Sequence, residues 1–143
     1  MQFDLHNNIH PRRGLSPVAA GTDTTPYVSQ IVDRAGFNAV EFVILTGANT
    51  DADATFAVLF EDGDNITLTD NAAVADAELL GTEALAGFTF ADDNKVFKIG
   101  YVGRKRYCRV TITPSDNAAG DIFIAGVWIL GHPMSAPTAN PPA

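Results

Sequence analysis

The chain has 143 residues, 46% of them hydrophobic, with 17 acids against 9 basic residues and a formal charge of −8. This suits one globular domain with a core of its own. The single cysteine, Cys108, excludes an internal disulfide framework. The acidic balance disfavours general nucleic-acid binding, so no direct nucleic-acid partner is expected. No apolar run approaches the roughly 20 residues of a membrane span, so no membrane partner is expected either. The first residues lack the basic start and apolar stretch of a secretory signal, which points to folding in a cytoplasm.

Residues 1–26 read as an arm, polar and interrupted by Pro11, Pro17 and Pro26. A short strand is expected at 28–33 and a stronger one at 37–46, where Val40, Phe42 and Ile44 alternate with Ala39, Glu41 and Val43. The next strand, 54–61, places Phe56, Val58 and Phe60 on one face, and the segment Glu61-Asp62-Gly63-Asp64-Asn65 reads as a turn before a short return strand at 66–69. Ala, Glu and Leu over 72–80 predict the one helix, closed by Gly81.

Strands follow at 88–90 and at 95–102, the latter with Phe97, Ile99 and Tyr101 together. The turn Gly103-Arg104-Lys105 leads to 106–113, where Cys108, Val110 and Ile112 share the apolar face. The last strand, 121–130, is apolar on both faces, with Phe123, Val127 and Ile129 opposite Ile122, Ile124, Trp128 and Leu130. Such a strand is central or carries a partner. Pro133 should stop it near Leu130 and leave 131–143 as a second arm. About eight short strands and little helix predict an all-β fold, an antiparallel β-sandwich of jelly-roll type, over 27–130.

Charge is segregated along the chain. From Ala35 to Asn94 there are twelve acids and no Lys or Arg, and six of the nine basic residues then fall between Lys95 and Arg109. Such asymmetry fits docking against charged macromolecular surfaces, beside the plain alternative of a solvated acidic surface.

No catalytic constellation emerges. The histidines, His6, His10 and His132, all lie in the predicted arms, so a cupin-like metal centre has no ligands on the strands. Asp51-Ala52-Asp53 and Asp62-Gly63-Asp64-Asn65 lack the closing glutamate of a calcium loop. Cys108 lacks a histidine partner in the strand region, and no serine stands in a Gly-x-Ser-x-Gly setting. No enzyme activity and no cofactor are therefore expected. Tyr27, Tyr101, Tyr107 and Trp128 offer thin support for a carbohydrate-binding module.

Several phrases carry a resemblance: Ser29-Gln30-Ile31-Val32-Asp33-Arg34, Val40-Glu41-Phe42-Val43-Ile44, Thr50-Asp51-Ala52-Asp53-Ala54-Thr55-Phe56, Leu80-Gly81-Thr82-Glu83-Ala84, Phe88-Thr89-Phe90-Ala91-Asp92-Asp93-Asn94, Ile99-Gly100-Tyr101, Lys105-Arg106-Tyr107, Val110-Thr111-Ile112-Thr113-Pro114 and Leu130-Gly131-His132-Pro133. Together they cover most of 28–133. In them the chain resembles the capsid cement, or decoration, proteins of tailed bacteriophages, that of a Bordetella phage included.

The resemblance implies a jelly-roll-like sandwich that forms homodimers on the outside of an icosahedral capsid and clamps neighbouring major capsid subunits. The protein would then reside in the virion, after assembly in the host cytoplasm. The alternative within the same class is a head–tail connector or tail component. Cementing predicts a dimer interface on Ile122, Ile124, Trp128 and Leu130, and capsid contacts through His10, Arg12, Arg13, Arg104, Lys105 and His132.

Overall fold

A computed structural model describes residues 3–18, 24–118 and 122–142. Its strands, in chain order, are β1 (Ile9–Val18), β2 (Tyr27–Val28), β3 (Val32–Asp33), β4 (Phe37–Asn49), β5 (Thr55–Gly63), β6 (Ala72–Ala73), β7 (Leu79–Leu80), β8 (Phe88–Thr89), β9 (Val96–Tyr101), β10 (Tyr107–Ser115) and β11 (Ile122–Pro133). A single helical turn, α1 (Glu83–Ala86), precedes β8.

One sheet has the order β1-β11-β4-β9-β7, and the other runs β2-β10-β5-β6, with β3 also on β10 and β8 also on β5. Taking β2 with β3 and β6 through β8 as single irregular legs leaves eight legs. Their orders are first-eighth-third-sixth and second-seventh-fourth-fifth, the jelly-roll arrangement. Every pairing among the described residues is antiparallel. The sandwich predicted from alternation is therefore present, and its register puts the expected faces inward. Val40, Phe42 and Ile44 of β4, Phe56, Val58 and Phe60 of β5, and Cys108, Val110 and Ile112 of β10 form the core with Trp128 and Leu130 of β11.

The core is tightest around two large rings. Phe42 and Trp128 lie with centroids 4.6 Å apart, and Phe60 meets Trp128 edge-on at 5.7 Å. The Phe42 ring lies over Gly126, where an added Cβ would come within 2.5 Å of Cζ, and it covers Gly14 as well. Trp128 is fully buried, and its Nε1–H donates to the Gln30 carbonyl at 3.0 Å. Gln30 N–H in turn donates to the Gly14 carbonyl at 2.8 Å, so the β2–β3 connection ties the edge of one sheet to that of the other.

Four expectations are corrected. Residues 9–18, expected within an arm, form β1, paired with β11 from Ile9↔Gly131 to Val18↔Ile124. The prolines hid this strand. Pro11 and Pro17 sit on the edge strand, where a missing N–H costs no ladder bond on the solvent side. The register also slips on either side of Leu15, which breaks the alternation. Likewise, β11 does not stop near Leu130 but continues to Pro133, paired with Phe37.

The predicted helix over 72–80 is absent: that stretch is β6, a 3₁₀ turn at Asp76–Glu78, and β7. Val74 and Leu79 both enter the core while Ala72 and Ala73 pair with Asp62 and Glu61, which an extended chain accomplishes and a helix cannot. The helical turn lies further on, capped by Thr82, whose Oγ1 accepts from Leu85 N–H at 3.1 Å. Finally, 66–69 is a turn rather than a strand. Asp70 accepts from the amides of Asp64 and Asn65, Asn65 Oδ1 accepts from Thr67 N–H, and Leu68 takes φ 51°. Asp121, predicted to open the last strand, lies outside the described residues.

A methyl group at position 126 must displace the Phe42 ring or the strand beneath it. Gly126→Ala is expected to lower stability by about 1–3 kcal/mol, the usual cost of overpacking, measured by urea denaturation. An unchanged midpoint would show that the ring has room to move.

Candidate functional site

The antiparallel register sorts the connections into two ends. At one end lie the loops 50–54, 90–95 and 116–118, bearing Asp51, Asp53, Asp92, Asp93 and Asp116 against Lys95. At the other lie 34–36, 64–71 and 102–106, bearing Arg34, Arg104, Lys105 and Arg106 with Asp64 and Asp70, next to Asp33. The linear charge asymmetry of the sequence thus becomes an acidic end and a second end where the basic loop 102–106 and Arg34 are interleaved with Asp33, Asp62, Asp64, Asp70 and Glu78.

The acidic end is built by turn chemistry. Asp51 Oδ1 accepts from the N–H groups of Asp53 and Ala54, and Asp93 Oδ1 accepts from Asn49 N–H at 2.8 Å. The hydrogen-bonded carboxylate of Asp51, with the charge of Asp116 behind it, pushes the Asp53 carboxyl up. Lys95, bonded to Asp92 at 2.7 Å, holds that carboxyl below its ordinary range.

The second end is locked in place. Arg106 grips Asp33 with Nε and Nη2 at 2.9 and 2.8 Å, and Lys105 Nζ reaches Asp64 at 2.7 Å. Both partners hold their carboxylates below the usual range. Arg34 donates to the Gly103 carbonyl, and its guanidinium stands 5.5 Å over the Tyr101 ring. The Tyr101 hydroxyl donates to Asp62 at 2.6 Å and accepts from Lys105 N–H at 3.0 Å, and burial pushes its pKa well up.

The residues singled out in the sequence fall into three groups. Ile122, Ile124, Trp128 and Leu130 are core residues, none more than 1% exposed, so they cannot face a second copy. The error is one of face: in a strand apolar on both sides, period two leaves the choice of inner face open. The outward side of β11 is Phe123, Ala125, Val127 and Ile129. His10, expected as a capsid contact, is also buried, stacked on Phe37 with centroids 5.5 Å apart. Arg12 and Arg13 are exposed on the β1 edge, Arg104 and Lys105 on the loop 102–106, and His132 beyond them at φ 48°. The structure does not gather these five into one site.

The surface missed by sequence reasoning is the outer face of the β1-β11-β4-β9-β7 sheet. Across the strands it reads Ile9–Gly131–Ala39, then Pro11–Ile129–Glu41–Gly100–Leu80, Arg13–Val127–Val43–Lys98, and Ala125–Leu45–Val96. Only Arg13, Glu41 and Lys98 carry charge in these rows. The other sheet turns Thr55, Thr111, Thr113 and the Arg109–Glu61 pair outward, interleaved with Val28, Ala57 and Leu59. One face of the sandwich is therefore mainly apolar and the other mixed.

Neither a metal centre nor an activated thiol is assembled among the described residues. Among the described residues no group of three His, Cys, Asp or Glu side chains could hold a metal ion. Burial pushes the Cys108 thiol up to about 12, leaving essentially no thiolate at neutral pH. Tyr101, Tyr107 and Trp128 are buried and Tyr27 is half-buried.

No protein-family model matches the sequence, and no curated protein matches it. Among solved structures the fold is similar to PBSX exported protein XepA, with a TM-score of 0.54 and 13% identity over 91% of this chain. The chain spans only 39% of XepA, and at that identity the likeness is one of fold alone. Weaker similarities link it to infectious bursal disease virus (TM-score 0.46, 6% identity, 90% of this chain and 35% of that one) and to the xylan-binding module CBM15 (TM-score 0.42, 12% identity, 94% and 97%).

His10 is buried without a hydrogen-bond partner among the described residues, and desolvation, aided by Arg12, lowers its pKa from 6.5. Its stabilising contribution is complete above the unfolded value and is lost as pH falls from about 6.5 toward the lower folded value. His10→Phe should flatten the stability decline between pH 7 and 5 relative to the parent, as read by thermal melts. Parallel declines would show that His10 is solvated. Tyr101→Phe strands the buried Asp62 carboxylate and the Lys105 amide, and should cost about 1–3 kcal/mol while speeding amide exchange in 102–106. A change confined to stability, with exchange unaltered, would show that the loop is held by its ion pairs.

Proposed function

We propose that the chain is a non-enzymatic structural protein of a virion, a cement that decorates an icosahedral phage capsid. In this reading it docks as a homodimer and bridges neighbouring major capsid subunits. The observation that carries the reading is the division of the surface. Many charged groups at the ends are held in structural contacts, while the outer face of the β1-β11-β4-β9-β7 sheet is mainly apolar and carries exposed Leu45, Leu80, Val96 and Phe123. Such a patch marks a protein interaction surface. The resemblance of its sequence phrases to those of phage cement proteins supports a major capsid protein as the partner.

The dimer contact moves from the four core residues to the outward side of the same strand. Phe123 and Val127 with Leu45 and Val43 form a patch that a twin can cover by an isologous contact. Exposed Arg104, with Lys105 and Arg106 held by their ion pairs, and the acidic loops at the far end supply the charged contacts to the shell. Their contribution is steering and register more than affinity. Repeated attachment over a shell converts modest contacts into firm binding.

The deciding experiment is the copy number of this chain in purified particles of its source, by quantitative mass spectrometry. A stoichiometry near that of the major capsid protein is expected. About a dozen copies or fewer would place it at the connector or tail, and none would remove it from the virion.

A further inference from the structure

The apolar sheet face is hollowed near the end that bears the basic loop. Gly131 and Ala39 supply little or no side chain there, and a cleft of ≈ 490 Å³ opens between the first turn of the chain, β4, β11 and the end of β9. Its walls are mostly apolar, with Asn8, Asn38 and His132 also on the lining. Leu5, Leu80 and Val102 line it while remaining 69%, 55% and 54% exposed. Its one carboxylate is Glu41, in the row Ile129–Glu41–Gly100.

Glu41 differs from the other carboxylates withdrawn from water. Asp51 caps two backbone amides, Glu61 is bound by Arg109, and Asp62 is bound by Tyr101. Among the described residues Glu41 makes no hydrogen bond and no ion pair. Lys98 acts on it through space only, and burial pushes the Glu41 carboxyl up. A half-buried carboxylate in mostly apolar walls is costly unless a cation reaches it. The matching group has an apolar stem and a cationic tip.

We propose that this cleft receives a lysine or arginine side chain presented by a protein partner, its aliphatic stem against Leu5, Leu80, Val102 and Ile129 and its charged head on the Glu41 carboxylate. The proposal stands on the cleft alone and does not depend on the virion reading.

Two variants isolate its two parts. Glu41→Gln keeps the shape and removes the charge. Gly131→Leu fills the hollow: a Cβ at position 131 meets only the Ala39 Cβ, at 3.6 Å, and Gly131 has no positive φ, so the backbone accepts a side chain. The ¹⁵N-labelled full chain is titrated with the blocked tripeptide acetyl-Gly-Lys-Gly-amide and with its norleucine counterpart, which lacks only the ammonium. Saturable shifts are expected at the amides of Ala39, Glu41, Gly100 and Gly131. The norleucine peptide should bind about tenfold more weakly, a difference of one hydrogen bond to a charged group. Glu41→Gln should erase that difference and Gly131→Leu should abolish both titrations. Equal binding of the two peptides, shifts confined to other residues, or a lysine preference that survives Glu41→Gln would each overturn the assignment.

Discussion

The packing of Trp128 against Phe42 between the two sheets is the constraint on which the rest of this structure depends. β11 lies between β1 and β4, so its inner side chains set the spacing of the sandwich over its length. The indole fills that space only because Gly126 and Gly14 leave room for the Phe42 ring beside it. Its N–H would be an unsatisfied donor in the core without the Gln30 carbonyl. That bond fixes the β2–β3 connection, which in turn holds the β1 edge through Gly14. Packing, hydrogen bonding and edge closure are thus one linked arrangement rather than three separate contributions.

The same antiparallel register explains how a linear charge pattern becomes a spatial one. Successive connections in a jelly roll alternate between the two ends. Acids at 51, 53, 92, 93 and 116 return to one end each time, and Arg34 and the 104–106 cluster return to the other. The acid-rich stretch is not wholly at the acidic end. Asp64 and Asp70 cross to the end that bears the basic loop, where Asp64 pairs with Lys105 and Asp70 braces the turn beneath it. The basic loop is therefore a rigid, partly compensated structure rather than a loose cluster of like charge. This favours oriented docking over nonspecific attraction for polyanions.

How much of this was legible in the sequence follows from how much each segment alternates. β4, β5, β9 and β10 each bury one face, so period two reveals both the strand and its inner side. β11 is apolar on both sides, so alternation gives the strand without its orientation, and the wrong four residues were placed outward. β1 has two prolines and two register slips, which mask it entirely. The segment 72–80 has helical composition, yet tertiary pairing overrides a weak local preference. The cleft beside Glu41 depends on Gly131 of β11 meeting Ala39 of β4 across the sheet, while Glu41 itself lies over Gly100 of β9. No single segment carries that signal, because it exists only once the register is known.

The edges and the face of this sandwich are treated differently. β7, β2, β3, β6 and β8, which bound the two sheets, are two residues each, too short to template another strand. The one long edge, β1, carries Pro11 and Pro17 with Arg12 and Arg13 between them, the devices that discourage edge-to-edge pairing. The outer face of β11 and β4 has no such protection: Phe123 and Leu45 stand about half exposed, with Val127 and Val43 beside them. Blocked edges disfavour strand addition, while an open apolar face leaves the sandwich itself intact as a docking surface, which is the arrangement the proposed role would use.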